Sequence, residues 1–275
     1  MANNVALELA SRTDTGRIRS KNEDAIAVSG MYGIAILADG MGGYSAGEVA
    51  SRIATDVIRE SLEEGLDRLE SQLQDLLTTR GRQLQNLMVE SIQRANSAVI
   101  EAARVQPEYQ GMGTTLVTAL FHEDKVIIAH VGDSRAYRFR QGELTQITRD
   151  HSLLQEQIDA GLISPEWARF SQNKNLVTRA LGVDAEMEVE IHDHQTEPEE
   201  VYLLCSDGLS DMLTDEEMRD ILLMHGASLQ GACDALVQKA NQNGGHDNIS
   251  AILVKVQSHT PGSSSLLGRL LNWLT

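Results

Sequence analysis

Gly33-Ile34-Ala35-Ile36-Leu37-Ala38-Asp39-Gly40-Met41-Gly42-Gly43 is the stretch on which the reading of the chain turns. An apolar run of strand length stops at an aspartate and a glycine-rich turn, and a helix-like pattern begins near Ser45. The run needs no carboxylate at its end for stability. A carboxylate held at the rim of a buried strand generally has something to bind.

Working outward, the neighbouring segments also read as strands that meet it at the same rim. Val5 to Thr13 alternates apolar and polar residues as a half-buried strand does, and Ala25 to Ser29 forms a second strand. With the turn at Met31-Tyr32, residues whose numbers sum to 63 face each other, so Asp24 faces Asp39. Like charges directly opposite destabilise a sheet, and a cation between them offsets that. Val201 to Cys205 runs into Ser206-Asp207-Gly208. Gly245-His246-Asp247-Asn248 precedes the last strand, Ile249 to Val256. If those two strands pair antiparallel, Asp207 and Asp247 meet. In the hairpin around Glu123-Asp124, a sum of 246 sets Asp133 opposite Gly113.

Several aspartates at strand ends describe one polar rim. Oxygen ligands, with no His or Cys at metal-ligand spacing, favour Mg2+ or Mn2+ over Zn2+. Arg19, in the loop leading to Asp24, belongs at the same rim, and its guanidinium suits a phosphate.

The remaining pattern supplies covers for the strands. Ala46 to Gly65 is helical with Val49, Ile53, Val57, Ile58 and Leu62 on one face, and Leu66 to Leu77 and Leu84 to Ala103 continue helical with a break at Gly81. Thr114 to Phe121 pairs with Val126 to Val131, and Ala136 to Phe139 with Glu143 to Thr148 around Gly142. Residues 150–183 carry helical pieces at Leu153 to Ala160, Pro165 to Phe170 and Leu176 to Leu181. Asp215 to Met224 and Ser228 to Asn241 are helices. Antiparallel runs with clustered helices predict an α+β fold, two sheets face to face with helices outside. A linker follows Val256, then an apolar tail in which Leu266, Leu267, Leu270, Leu271 and Leu274 recur at helical spacing. That tail is read as a short helix or frayed end, with a docking segment as the alternative.

Composition excludes several classes. The chain has 275 residues and a formal net charge of −17, so a phosphate-backbone partner is disfavoured and no nucleic acid is expected. Two cysteines, Cys205 and Cys233, form no disulfide framework, and no apolar run approaches membrane-spanning length. The expected compartment is the cytoplasm.

Taken in order, the motifs Gly16-Arg17-Ile18-Arg19 with Asn22-Glu23-Asp24, Ala38-Asp39-Gly40-Met41-Gly42-Gly43, Gly113-Thr114-Thr115, Val131-Gly132-Asp133-Ser134-Arg135, Ser206-Asp207-Gly208 and Gly245-His246-Asp247-Asn248 resemble the metal-dependent protein phosphatases, the PPM or type 2C family, in its bacterial form. The resemblance spans residues 5–256. It implies a four-layer α-β-β-α sandwich of two mostly antiparallel sheets flanked by helices, a phosphatase domain over 1–257 with a flap at about 150–183, and a tail over 258–275. It also implies hydrolysis of phosphoserine and phosphothreonine in proteins by water activated at a binuclear Mg2+ or Mn2+ centre, opposing a bacterial Ser/Thr kinase, with phosphorylated proteins as partners. Carried across, Asp39 bridges both cations, Asp207 and Asp247 complete the first, and Gly40 offers its carbonyl to the second, with Glu23 or Asp24 holding it through water. Asp133 with Asp207 holds a third, and Arg19 binds the phosphate. One position departs from the pattern. Many bacterial members place histidine after Met-Gly-Gly, and here Tyr44 stands there. A phenol, with a pKa of about 10, is a poorer proton donor than imidazolium near pH 7, so no histidine general acid carries over at that position. His151 is read as structural or flap-anchoring.

Rival readings fail on residues. A cysteine phosphatase needs arginine six positions after its cysteine, where Asp211 and Lys239 stand. A serine hydrolase at Ser134 lacks the late Asp-x-x-His pair and any Gly-x-Ser-x-Gly. A dinucleotide site at Gly40 lacks its third glycine, replaced by Ser45. A non-catalytic phosphoprotein-binding module on the same fold is the alternative function, and Mn2+-dependent hydrolysis separates it from the enzyme.

Overall fold

Strands that are apolar on both faces decide the architecture. In the computed structural model, which describes residues 5–42, 46–71, 80–164, 167 and 176–259, Ile34, Ala35, Ile36, Leu37 and Ala38 are all fully buried, and so are Tyr202, Leu203, Leu204 and Cys205. A strand greasy on both sides needs a cover on each, and two such sheets stacked together need four layers.

In chain order the elements are β1 (Val5–Asp14), β2 (Asp24–Ser29), β3 (Ile34–Met41), α1 (Ala46–Ser71), α2 (Arg80–Val105), β4 (Gly113–Thr114), β5 (Leu116–His122), β6 (Lys125–Val131), β7 (Arg135–Arg140), β8 (Glu143–Gln146), α3 (Leu153–Asp159), β9 (Glu190–Gln195), β10 (Val201–Cys205), the single turn α4 (Asp207–Ser210), α5 (Asp215–Met224), α6 (Leu229–Gln242) and β11 (Ile249–His259). One sheet has the order β1-β11-β10-β7-β8. The other runs β2-β3-β5-β6-β9, with β4 paired to β3. Every pairing is antiparallel.

Alternation sorts the side chains into three apolar layers. Ile34, Ile36 and Ala38 pack outward with Ala50, Ala54 and Ile58 of α1 and Met88 and Ile92 of α2. Ala35 and Leu37 pack inward with Tyr202, Leu204, Ile252 and Val254 of the facing sheet. Val201, Leu203 and Cys205 pack on the far side with Met218 and Leu222 of α5 and Leu236 and Val237 of α6. The α+β sandwich expected from the sequence is the fold observed.

Four local expectations are corrected. Gly81 is no break: it lies in the first turn of α2. Leu176 to Leu181 is not helical but extended, tied by isolated bridges of Ser152 to Val177 and Thr114 to Leu181. β9, a polar edge strand paired with β6, was not anticipated, because Glu190-Ile191-His192-Asp193-His194-Gln195 carries little apolar signal. The β5–β6 hairpin closes through Glu123-Asp124 with His122 opposite Lys125, so partners sum to 247 rather than 246. A two-residue turn, with Glu123 at φ 54°, sets that register. Gly113 therefore faces Met41 in β3, not Asp133. Pro165 to Phe170, Tyr44 and the tail from residue 260 lie outside the described residues, Trp167 excepted.

Candidate metal centre

The site is built where strands end. Asp24 opens β2 and pairs with Asp39 near the end of β3, the register expected from the turn. Asp24 is 9% exposed. Its Oδ2 accepts hydroxyls from Ser206 (2.9 Å) and Ser250 (2.6 Å), while its Oδ1 has no hydrogen-bond partner. Burial, working against the hydrogen bonds of Ser250, Ser206 and Asp39, pushes its carboxyl up to about 6. The backbone of Asp39 is pinned from β4 and the residue after it. Thr114 Oγ1 and the Thr115 N–H both donate to its carbonyl at 2.8 Å, and its own N–H donates to Thr115 Oγ1 (3.3 Å).

Two more carboxylates arrive from the other sheet. Cys205 pairs with Ala251, so the residues just beyond each strand converge. A Cβ added at Gly208 would lie 2.0 Å from the Asn248 carbonyl and 3.4 Å from Asp247 Cβ. Asp207 opens α4, and its buried Oδ1 has no partner. Burial first, then the charges of Asp133, Asp247, Asp211 and Asp24, push it up to about 8. Asp39 is raised well above the usual carboxylate range by burial, then by Asp24, Asp207, Asp133 and Asp247 in that order. Asp133, just past β6, is pushed up to about 6 chiefly by burial, with Asp150 adding to it. Asp24, Asp39, Asp133 and Asp207, from four parts of the chain, thus all hold protons more tightly than a free carboxylate.

The remaining predicted residues lie on the same rim. The Gly40 N–H donates to the Glu23 carbonyl (3.1 Å). A Cβ at Gly40 would sit 2.2 Å from the Gly47 carbonyl, so only glycine lets α1 start this close to β3. The Glu23 side chain lies against Gly47, and burial is the first of the causes that raise its carboxyl. Arg19 Nη2 donates to Asp247 Oδ2 at 2.7 Å from a half-exposed guanidinium. All eight residues singled out from the sequence therefore belong to this rim.

Buried like charges with orphaned oxygens are costly unless something compensates. The donor set holds carboxylate and carbonyl oxygens and neither histidine nor cysteine. It fits a hard divalent cation.

Residues 16–253 match the sequence profile of protein phosphatase 2C. The chain belongs to the protein phosphatase 2C family. Among this phosphatase's relatives is the serine/threonine phosphatase stp of Listeria welshimeri, 40% identical over 247 residues, which cover 89% of this chain and 94% of that one. The crystal structure of the Mycobacterium tuberculosis serine/threonine phosphatase PstP/Ppp superposes with a TM-score of 0.81 at 34% identity, covering 92% of this chain and 99% of that one. The catalytic domain of PstP in complex with two manganese ions gives a TM-score of 0.77 at 32% identity, over 92% of this chain and 99% of that one. Among the described residues of the phosphatase, no helix is long and apolar enough to cross a membrane.

Sequence reasoning passed over several residues that hold the site in shape. Asn248 Oδ1 accepts the Glu23 N–H (2.8 Å), and its Nδ2 donates to the carbonyls of Thr15 (2.9 Å) and Lys21 (2.8 Å), which fixes the Arg19 loop. Ser206 and Ser250 clasp Asp24. The register that joins Cys205 to Ala251 also sets these two serines side by side, and the facing sheet brings Asp24 to them. Asp211 stands four residues after Asp207, one turn along the same helix face.

Proposed function

We propose that this cleft of aspartates is the metal centre with which the phosphatase hydrolyses phosphoserine and phosphothreonine in proteins. The observation that carries the reading is a cluster of carboxylates in which Asp24 Oδ1 and Asp207 Oδ1 lie out of solvent and are reached by no N–H or hydroxyl of the described residues. Asp39 would lie between two divalent cations, Mg2+ or Mn2+. Asp207 and Asp247 would complete the first. The Gly40 carbonyl and Glu23 would serve the second, since Asp24 already spends one oxygen on two serine hydroxyls. Asp133 with Asp207 would hold a third. Such cations supply Lewis acidity and a water that ionises near neutral pH.

The chain's own residues do the rest. Asp24, clasped by serines of the facing sheet, ties the two sheets together beside Asp39. Asn248 holds the loop that carries Arg19. The Arg19 guanidinium rests on Asp247 and would turn to a phosphoryl group arriving at the rim, binding two of its oxygens and stabilising the charge on them during in-line attack. The residues of 150–183 would form the flap over this cleft and contribute to substrate choice.

We further read the substrates as phosphoproteins made by a Ser/Thr kinase, acted on in the cytoplasm. The two buried thiols, Cys205 and Cys233, support a reducing compartment. The test is hydrolysis of a phosphothreonine peptide with Mn2+, then with EDTA. Activity that requires Mn2+ and disappears in EDTA is expected. Hydrolysis that persists unchanged in EDTA sinks the proposal.

A further inference from the structure

Beside the aspartates, His130, His151 and Glu190 gather with donor atoms within 4.8 Å of one another, a set that looks like a transition-metal site. The hydrogen bonds speak against it. The Gly132 N–H donates to His151 Nδ1 at 3.1 Å, so Nδ1 carries a lone pair and the proton of the neutral ring sits on Nε2. There it meets Glu190 Oε2 at 3.1 Å. A cation on Nε2 would drive the proton to Nδ1, straight against the Gly132 N–H. His130 is committed as well. Its Nε2 faces the Arg149 carbonyl at 2.8 Å, and its ring stacks on His151 with centroids 4.6 Å apart.

What the His151 ring holds instead is a turn. The His151 N–H donates to the Gly132 carbonyl (2.9 Å) while the ring accepts the Gly132 N–H, so both backbone polar groups of Gly132 are clamped by one residue. Gly132 sits at φ +107°, and a Cβ there would lie 2.7 Å from Thr115 Cβ, so only glycine fits this turn. Asp133 comes next in the chain and is buried. Glu190 reaches the ring from β9, and its other oxygen meets His192 Nε2 at 3.0 Å.

We propose that His151 is a positioning residue. Held from behind by Glu190, it fixes the Gly132 turn and so aims Asp133 at the cation position Asp133 shares with Asp207. The inference rests on the reading of Asp133 as a cation ligand.

The experiment measures Mn2+ binding to the full chain by calorimetry and by electron paramagnetic resonance of free Mn2+, with turnover of a small phosphomonoester followed against Mn2+ concentration. His151→Asn places an amide oxygen where Nδ1 was and keeps the acceptor for Gly132. His151→Gln places its amide near Nε2 and keeps only the Glu190 side. The expected result is that H151Q weakens the weakest Mn2+ site roughly 10- to 100-fold, with turnover recovered by raising Mn2+, while H151N stays within about threefold of wild type. Should H151Q fold poorly, Glu190→Leu serves instead, with several-fold weaker binding at the same site expected.

Asp133→Asn separates the two readings. Unchanged Mn2+ binding in D133N defeats the ligand assignment itself. Loss of a site in D133N beside full retention in H151Q and E190L overturns this inference alone. It is also overturned if H151Q loses turnover equally at every Mn2+ concentration, as a merely structural defect would, or if wild type binds a Zn2+ ion that H151N and H151Q both lose.

Discussion

Strand β10 joins two acids that the fold treats in opposite ways. Just before it, Glu200 is 2% exposed and fully partnered. It pairs with Arg140, and it accepts the Tyr202 hydroxyl (3.0 Å) and the Glu197 N–H (2.9 Å). Just after it, Asp207 is half-buried among four other aspartates, and its Oδ1, out of solvent, is unsatisfied. The strand between them is five residues long and spans only about 16–17 Å. A carboxylate whose every bond is made within the chain is part of the scaffold. One left short of partners, beside others in the same state, is waiting for a ligand that the chain does not supply.

The contrast can be broken most directly at Asp39. Asp39→Asn should lower hydrolysis of a phosphothreonine peptide by roughly 10³-fold or more, since the carboxylate proposed to bridge the cations is gone. In EDTA the same variant should unfold at a higher temperature than wild type, because one of several repelling charges has been removed. Near-normal turnover, or a lower unfolding temperature, counts against the reading of this end.

The opposite end should answer with the opposite sign. Glu200→Ala leaves Arg140 with only Glu197 (3.1 Å) and the Gln195 carbonyl (3.3 Å), strands the Tyr202 hydroxyl and the Glu197 N–H, and should cost about 2 kcal/mol of unfolding free energy in urea. Its turnover at 25 °C should stay near wild type. A neutral effect on stability would erase the distinction between the ends.

Arg19→Ala removes a half-exposed side chain at the rim that meets a cluster carboxylate. Loss of a two-point phosphate contact should lower kcat/KM roughly 100-fold, and Arg19→Lys should recover part of it. Equal kinetics in all three proteins would leave Arg19 a surface residue.

The smallest effect sharpens the comparison through pH. Asp207 is pushed up to about 8, and Asp24 and Asp133 to about 6, against 3.8. The metal-free folded chain therefore keeps protons that the unfolded chain has released. Their contribution is complete below about pH 4 and is lost as pH rises through 6 to 8. The unfolding temperature in EDTA should fall by several degrees between pH 5 and pH 8, and saturating Mn2+ should flatten that slope. A metal-free protein that grows more stable over the same range refutes the assigned shifts.

Much of this was legible in the letters because strand pairing is arithmetic. The turn at Met31-Tyr32 fixes Asp24 opposite Asp39, and two Asp-bearing turns flank strands that pair antiparallel. Where the local signal is weak the arithmetic fails. β9 is a polar edge strand, and the β5–β6 hairpin was misjudged by one residue because turn length sets its register. The aspartates proposed as ligands stand out in the sequence as Asp-Gly at strand ends, whereas the serines beneath Asp24 reach it from the facing sheet and carry no such mark.

Alternation of apolar residues and the order of motifs along the chain determined the layers, the strand ends and the acids at them, since period and register are properties of neighbouring residues. Tertiary structure alone decided which of those acids stay unpartnered, that Asp24 is clasped from the opposite sheet, and that His151 grips Gly132. Those facts depend on groups brought together from distant parts of the chain, where burial strengthens every charge and hydrogen bond and no local pattern records the meeting.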